Sequence, residues 1–167
     1  TDYKPRIDLE ILEKYHEGLI CSSACLAGEV ASKISAGDIE GAKESALWFK
    51  NLFGDDYYLE IQNNGIKEQV LVNQKLIQIA RELNIPLLAT NDSHYLKKED
   101  AYNHEVLLCI QTGKKMSDED RMRFETDELY IKSPEEMMEF FKNVPDAIEN
   151  TVKVAEKCNV EFEFGHT

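Results

Sequence analysis

The stretch LLATNDSHYL, residues 87–96, decides how this chain is read. An apolar run suited to a buried strand ends in Asn91, Asp92, Ser93 and His94. On an extended backbone, residues two apart face the same side. Asp92 and His94 are therefore expected to project together just past the strand's end, as a pair of metal ligands would. The competing reading is a polar turn with a capping Asp and an incidental His. D-x-H alone is too short a motif to choose between them.

Working back from this stretch, Pro86 marks the strand's start, and a helix over about 66–83 precedes it. That helix carries Val72, Leu76, Ile79 and Leu83 at helical spacing. Before it, YYLEI (57–61) is aromatic and branched enough for a half-buried strand. Upstream again, Asp38 caps a helix that runs through IEGAKESALWFKNLF to a stop at Gly54. GLICSS (18–23) is a short strand, followed by a Ser/Ala/Gly turn. Successive β-then-α units predict an α/β fold with a parallel sheet, open or closed into a barrel. Chemistry in such folds gathers at the carboxyl ends of strands. Asp92, His94, Cys25 and Glu60 all fall at or near such ends.

Downstream of His94 the pattern changes. KKEDAYNHEVLLCIQTGKK predicts a helix with Val106 and Ile110 on its apolar face and Gly113 near its end. A polar connector follows, expected to pair Phe124 with Tyr130 and Ile131 in a small hairpin. Ser133-Pro134-Glu135-Glu136 is a capping box with proline at the first helical position. From Pro145 a last helix is expected to bury Ile148, Val152, Ala155 and Cys158. The organisation is thus a βα part over 1–98 and a mainly helical extension over 99–167.

Composition sets limits. Hydrophobic content of 43% with 31% charged residues fits a globular chain, and no apolar run is long enough to span a bilayer. Four cysteines in 167 residues do not make a disulfide framework, so a reducing, cytoplasmic setting is expected. Cys21 and Cys25 are spaced C-x3-C with no second pair, which argues against a structural zinc finger. Cys109 and Cys158 read as core. The net charge of −13 repels phosphate backbones, so this segment is not expected to grip nucleic acid itself. The opening TDYKPRID lacks an initiator Met and reads as a cut inside a longer protein.

Taken together, GLICSSACLAGEVASKI, YYLEIQNNG, PLLATNDSHYLKKEDAYNHEVLLCIQTGKK, FETDELYIKSPEEM and NTVKVAEKCNVEFEFG resemble, in this order, a known family. They look like the second half of the PHP (polymerase and histidinol phosphatase) domain of bacterial replicative DNA polymerase III alpha subunits. The resemblance implies a partial distorted βα barrel with three βα units, followed by the helical extension toward a polymerase palm. It implies a metal set at the carboxyl ends of the strands, with Cys25, Asp92 and His94 as the ligands present here. The family's earlier ligand motifs have no counterpart in the chain. The implied metals are zinc, manganese or magnesium in the intact domain, with at most one weakly held ion in this piece alone.

The implied activity is DNA-directed DNA synthesis by the parent, a nucleotidyltransferase. The PHP part would be a metal-dependent 3′–5′ exonuclease or phosphoesterase, or a structural support. The piece alone is expected to be inactive and to contain no catalytic residue of its own. The implied partners are the rest of the alpha subunit, the replicase holoenzyme and DNA through the parent, with no membrane. A free-standing phosphatase of the histidinol phosphate type is the alternative, and Cys25 in place of a histidine argues against it. Glu29 is expected at a helix start or as a carboxylate behind the ligands, and His104 is expected to pack or hydrogen-bond beside the metal loop. Glu60 is left between the site and a structural ion pair. An open edge at residues 18–23 is expected to pair with a second copy, or to be covered by the chain's own N-terminal segment or helical tail.

Overall fold

In the computed structural model, residues 6–165 are described. Asp8 opens the first helix, α1 (Leu9–Tyr15), by accepting a hydrogen bond from the Ile11 amide. Strand β1 (Cys21–Ser22) follows, then α2 (Glu29–Ser35) and α3 (Ile39–Phe53). Strand β2 (Tyr57–Gln62) leads into α4 (Lys67–Leu83), which leads into β3 (Leu87–Thr90). A turn of 3-10 helix precedes α5 (Ala101–Thr112), and α6 (Pro134–Phe140) and α7 (Pro145–Lys157) complete the order. No helix among the described residues is long and apolar enough to cross a membrane.

The strands form one parallel sheet in the order β1-β2-β3, with Ser22 opposite Tyr58 and Gln62 opposite Thr90. The expected α/β class with a parallel sheet is therefore found, as a small three-stranded sheet among many helices. Central β2 is buried at every residue but Glu60, as a parallel strand covered on both faces should be. Tyr57, Leu59 and Ile61 are all at most 1% exposed.

Helix α4 packs on β2, α7 packs on β3, and α2 lies across α3. Ala42 and Ala46 are wholly buried on α3, where small side chains let its backbone come close to its neighbours. Phe141, Val144 and Ala147 join the same core cluster as Leu59 and Leu87. Arg81 on α4 forks onto the Asp146 carboxylate at the start of α7, at 2.7 and 2.8 Å. The helical extension thus shares the sheet's core.

Several boundaries fall where local chemistry places them. Asp38 accepts from the Gly41 amide, and Gly54 ends α3 at φ +57. Ser133 and Glu136 exchange both hydrogen bonds of a capping box. Gly113 closes α5 in the left-handed region.

Other expectations are corrected. β1 is two residues long, and α1 lies where no helix is expected, while Glu29 begins α2 at the expected helix start. On α5 the buried residues are Leu108 and Cys109, while Ile110 is 72% exposed. On α7, Val152 is exposed and Asn150 is buried, because its amide donates to the Leu87 carbonyl at 2.7 Å. Cys158 lies past the last helical turn and is exposed. The hairpin between Phe124 and Tyr130–Ile131 does not form. Tyr130 instead makes a parallel bridge to Tyr95, and the Ile131 amide donates to the Tyr95 carbonyl at 3.2 Å.

Candidate metal centre

The backbone after β3 turns sharply. Asp92 has φ +51, in the left-handed region that Asp tolerates better than most residues. Asp92 and His94 are thus brought together by a turn and not by the strand alternation expected above. His94 Nδ1 sits 3.9 Å from Asp92 Oδ1, and both side chains are partly open to solvent, at 31% and 47% exposure.

His94 Nδ1 also lies 2.7 Å from the Asp92 carbonyl oxygen. A carbonyl can only accept, so the neutral imidazole places its proton on Nδ1 and keeps its lone pair on Nε2. Metal-binding histidines are held in this way, by the nitrogen that does not bind. The His94 amide donates to the Leu129 carbonyl at 2.8 Å, which pins the turn to the segment before α6.

An aromatic cluster backs the imidazole. His94 lies edge-on to His104 at 5.5 Å and tilted to Phe124 at 5.1 Å, and Tyr95 and Phe124 each sit 5.5 Å from His104. Burial, and then the neighbouring His94, push the His104 pKa down. His104 therefore packs beside the loop, as expected. A cavity of about 550 Å³ opens along this cluster, lined by Tyr95, Tyr102, His104, Glu105, Phe124 and Glu128 among others.

Cys25 sits on the loop after β1, exposed, with its carbonyl accepting from the Gly28 amide at 2.9 Å. It lines a narrow crevice with Glu60, Gln62 and Gln69. Because the strands are parallel, this loop and the Asp92–His94 turn leave the same edge of the sheet. Among the described residues, no three His, Cys, Asp or Glu side chains gather into a metal-holding group. The structure brings Asp92 and His94 together and leaves Cys25 outside that pair.

Glu60 lies between them. Its Oε2 accepts from Ser22 Oγ at 2.5 Å. Its Oε1 accepts from Gln62 Nε2 at 3.1 Å and from the Thr90 hydroxyl. One carboxylate thus ties β1, β2 and β3 together at their carboxyl ends. Gln62 extends the chain of contacts to Gln69, whose Oε1 accepts from the Asn64 amide at 2.9 Å. The signal was present in the sequence: Glu60 and Gln62 are polar residues two apart in an otherwise apolar strand, so they share a face.

The PHP domain family matches residues 1–64, which include Cys25 and Glu60 and stop short of Asp92 and His94. DNA polymerase III subunit alpha of Borreliella burgdorferi is 55% identical over 157 residues, covering 94% of this chain. The same subunit of Campylobacter jejuni is 49% identical over 98% of the chain, and that of Thermus aquaticus 42% over 97%.

The chain is a homologue of DNA polymerase III alpha subunits and carries PHP-domain sequence. It spans only about one seventh of those relatives, 14% of the length of each of these three. The homology to the alpha subunits runs through the Asp92–His94 turn and the helices beyond it, well past the end of the PHP match.

Proposed function

We propose that this chain forms part of the PHP domain of a DNA polymerase III alpha subunit, and that Asp92 and His94 supply part of a divalent-metal site there. The observation that carries the reading is the oriented imidazole: Nδ1 is fixed on the Asp92 carbonyl, and a carboxylate stands 3.9 Å away at a strand's carboxyl end. The donor set fits an ion such as zinc or manganese, with one hard carboxylate oxygen and one imidazole nitrogen. Cys25 is the third proposed ligand, since its exposed thiol leaves the same sheet edge. Two residues already paired make half a site, and closing the sheet into a barrel with the remaining ligands belongs to the longer polypeptide.

In that setting, the bound ion would activate water or neutralise a phosphate oxygen for phosphoester hydrolysis. The residues of this chain hold and orient. Asp92 presents its carboxylate, His94 presents Nε2, and the His104–Phe124 cluster restricts the imidazole to one side. DNA contact and nucleotidyl transfer fall to other parts of the proposed parent, because a chain of net charge −13 repels a phosphate backbone. The proposed partner is the rest of the alpha subunit within its replicase, in the cytoplasm.

Zinc titration of the 167-residue chain, followed by imidazole nitrogen NMR, tests the half-site. The expected result is a weak, saturable shift of the His94 Nε2 resonance that Asp92→Ala weakens. The chain should meanwhile release no nucleotide from a DNA 3′ end and incorporate none. His94 resonances unmoved by a large excess of zinc would refute the ligand pair. Metal-dependent nucleotide release lost in Asp92→Asn would show that the chain assembles a complete site by itself.

A further inference from the structure

Lys132 has almost no solvent: its side chain is 1% exposed. A buried ammonium is costly unless its protons find acceptors. Here all three do. Nζ donates to Asn91 Oδ1 at 3.1 Å and to the Glu128 carbonyl, and lies 3.4 Å from Glu128 Oε2. The Tyr130 ring lies 4.2 Å from it and the Phe140 ring 5.3 Å, both favourable faces for a cation. Burial pulls the Lys132 pKa down and the Glu128 charge opposes this.

We propose that Lys132 is a positioning residue whose ammonium locks the Asn91 carboxamide and thereby holds the Asp92–His94 turn in its ligand-presenting shape. An amide has two ends of nearly equal shape, and only its partners distinguish them. Lys132 can only donate, so it takes Oδ1 and directs Asn91 Nδ2 to the Tyr130 carbonyl and to Ser93 Oγ at 3.1 Å. Asn91 and Ser93 flank Asp92, whose φ of +51 lies in the left-handed region that most residues avoid. Held from both sides, that conformation persists, and with it the 3.9 Å approach of Asp92 to His94. Lys132 touches neither side chain and acts through Asn91. The inference rests on the metal-site reading for what the turn presents, and on hydrogen bonding alone for how the turn is held.

The test uses Lys132→Met, which keeps the apolar stem and removes the donors, in the 167-residue chain. Amide exchange by NMR should show the His94 amide exchanging at least about tenfold faster, while Leu59, whose amide donates to the Pro86 carbonyl, stays within about twofold. The His94 Nδ1 resonance should leave its hydrogen-bonded position, and the zinc response at His94 should weaken about 10- to 100-fold. If Lys132→Met loses protection at Leu59 as well, Asn91→Ala cuts the same link without disturbing a buried charge and should give the local pattern. Unchanged His94 exchange and imidazole resonances in the folded variant overturn the proposal. A wild-type chain that never binds zinc refutes the metal reading instead, and the exchange comparison still decides the role of Lys132.

Discussion

Gly28→Ala is expected to destabilise the chain by about 3 kcal/mol, near the upper end of what overpacking at one site usually costs. The backbone angles are not the reason, since φ −65 and ψ 155 at Gly28 suit any residue. Space is. A Cβ there would lie 2.2 Å from the Ser23 carbonyl oxygen and 3.0 Å from that of Cys25. Both contacts are to backbone, so no side chain can swing away to relieve them. The loop from Ser23 to Gly28 would have to open, with loss of the Gly28 amide bond to the Cys25 carbonyl and of the close entry into α2. Val30 and Ala31, at 1% and 2% exposure, follow at once and would be drawn out of the core. Urea denaturation of the variant and the parent measures the difference directly. A midpoint that changes by less than about 0.5 kcal/mol in free energy would show that this loop has slack the geometry denies.

Glu60→Ala should cost a similar amount, about 2–4 kcal/mol, because several donors lose their acceptor in a half-buried place. An unsatisfied polar group of this kind costs about 1–3 kcal/mol, and part of that returns as hydroxyls rotate to other partners or to water. Ser22 Oγ and the Thr90 hydroxyl lose their carboxylate partner, while Gln62 Nε2 keeps Thr90 Oγ1 at 3.2 Å. Glu60→Gln separates charge from shape. Its retained oxygen still accepts from Thr90 and Gln62, and the Ser22 hydroxyl can reverse and accept from the new amide. That variant should lose about 1 kcal/mol. Equal losses in the two variants would mean that the negative charge, and not the hydrogen-bond pattern, holds the strand ends together.

The sequence made the element order readable wherever a segment carried its own signal. Asp38, the Ser133 capping box, the α4 periodicity and the branched, aromatic run of β2 each reflect local chemistry, and each element lies where that chemistry puts it. What escaped depended on partners far along the chain. On α5 the core reading of Cys109 holds, but Leu108 and not Ile110 is the residue buried beside it. Asn150 is buried on α7 because a carbonyl at the edge of β3 needs a donor, and a reading by polarity places Asn outside.

The candidate site divides in the same way. The two groups of D-x-H lie 3.9 Å apart, but the strand alternation invoked for them is replaced by the left-handed turn at Asp92. Glu60 and Lys132 stayed unassigned because their roles depend on register and on a contact 41 residues away in sequence.

Asp92 and His94 are proposed as half of a divalent-metal site completed in a longer alpha subunit. Metal content, measured by mass spectrometry on a purified alpha subunit containing this sequence and on its His94→Ala variant, tests it most directly. Bound zinc or manganese is expected in the parent, with a loss of at least about 10- to 100-fold in affinity in the variant and DNA synthesis changed much less. Equal metal content in the two proteins would contradict it.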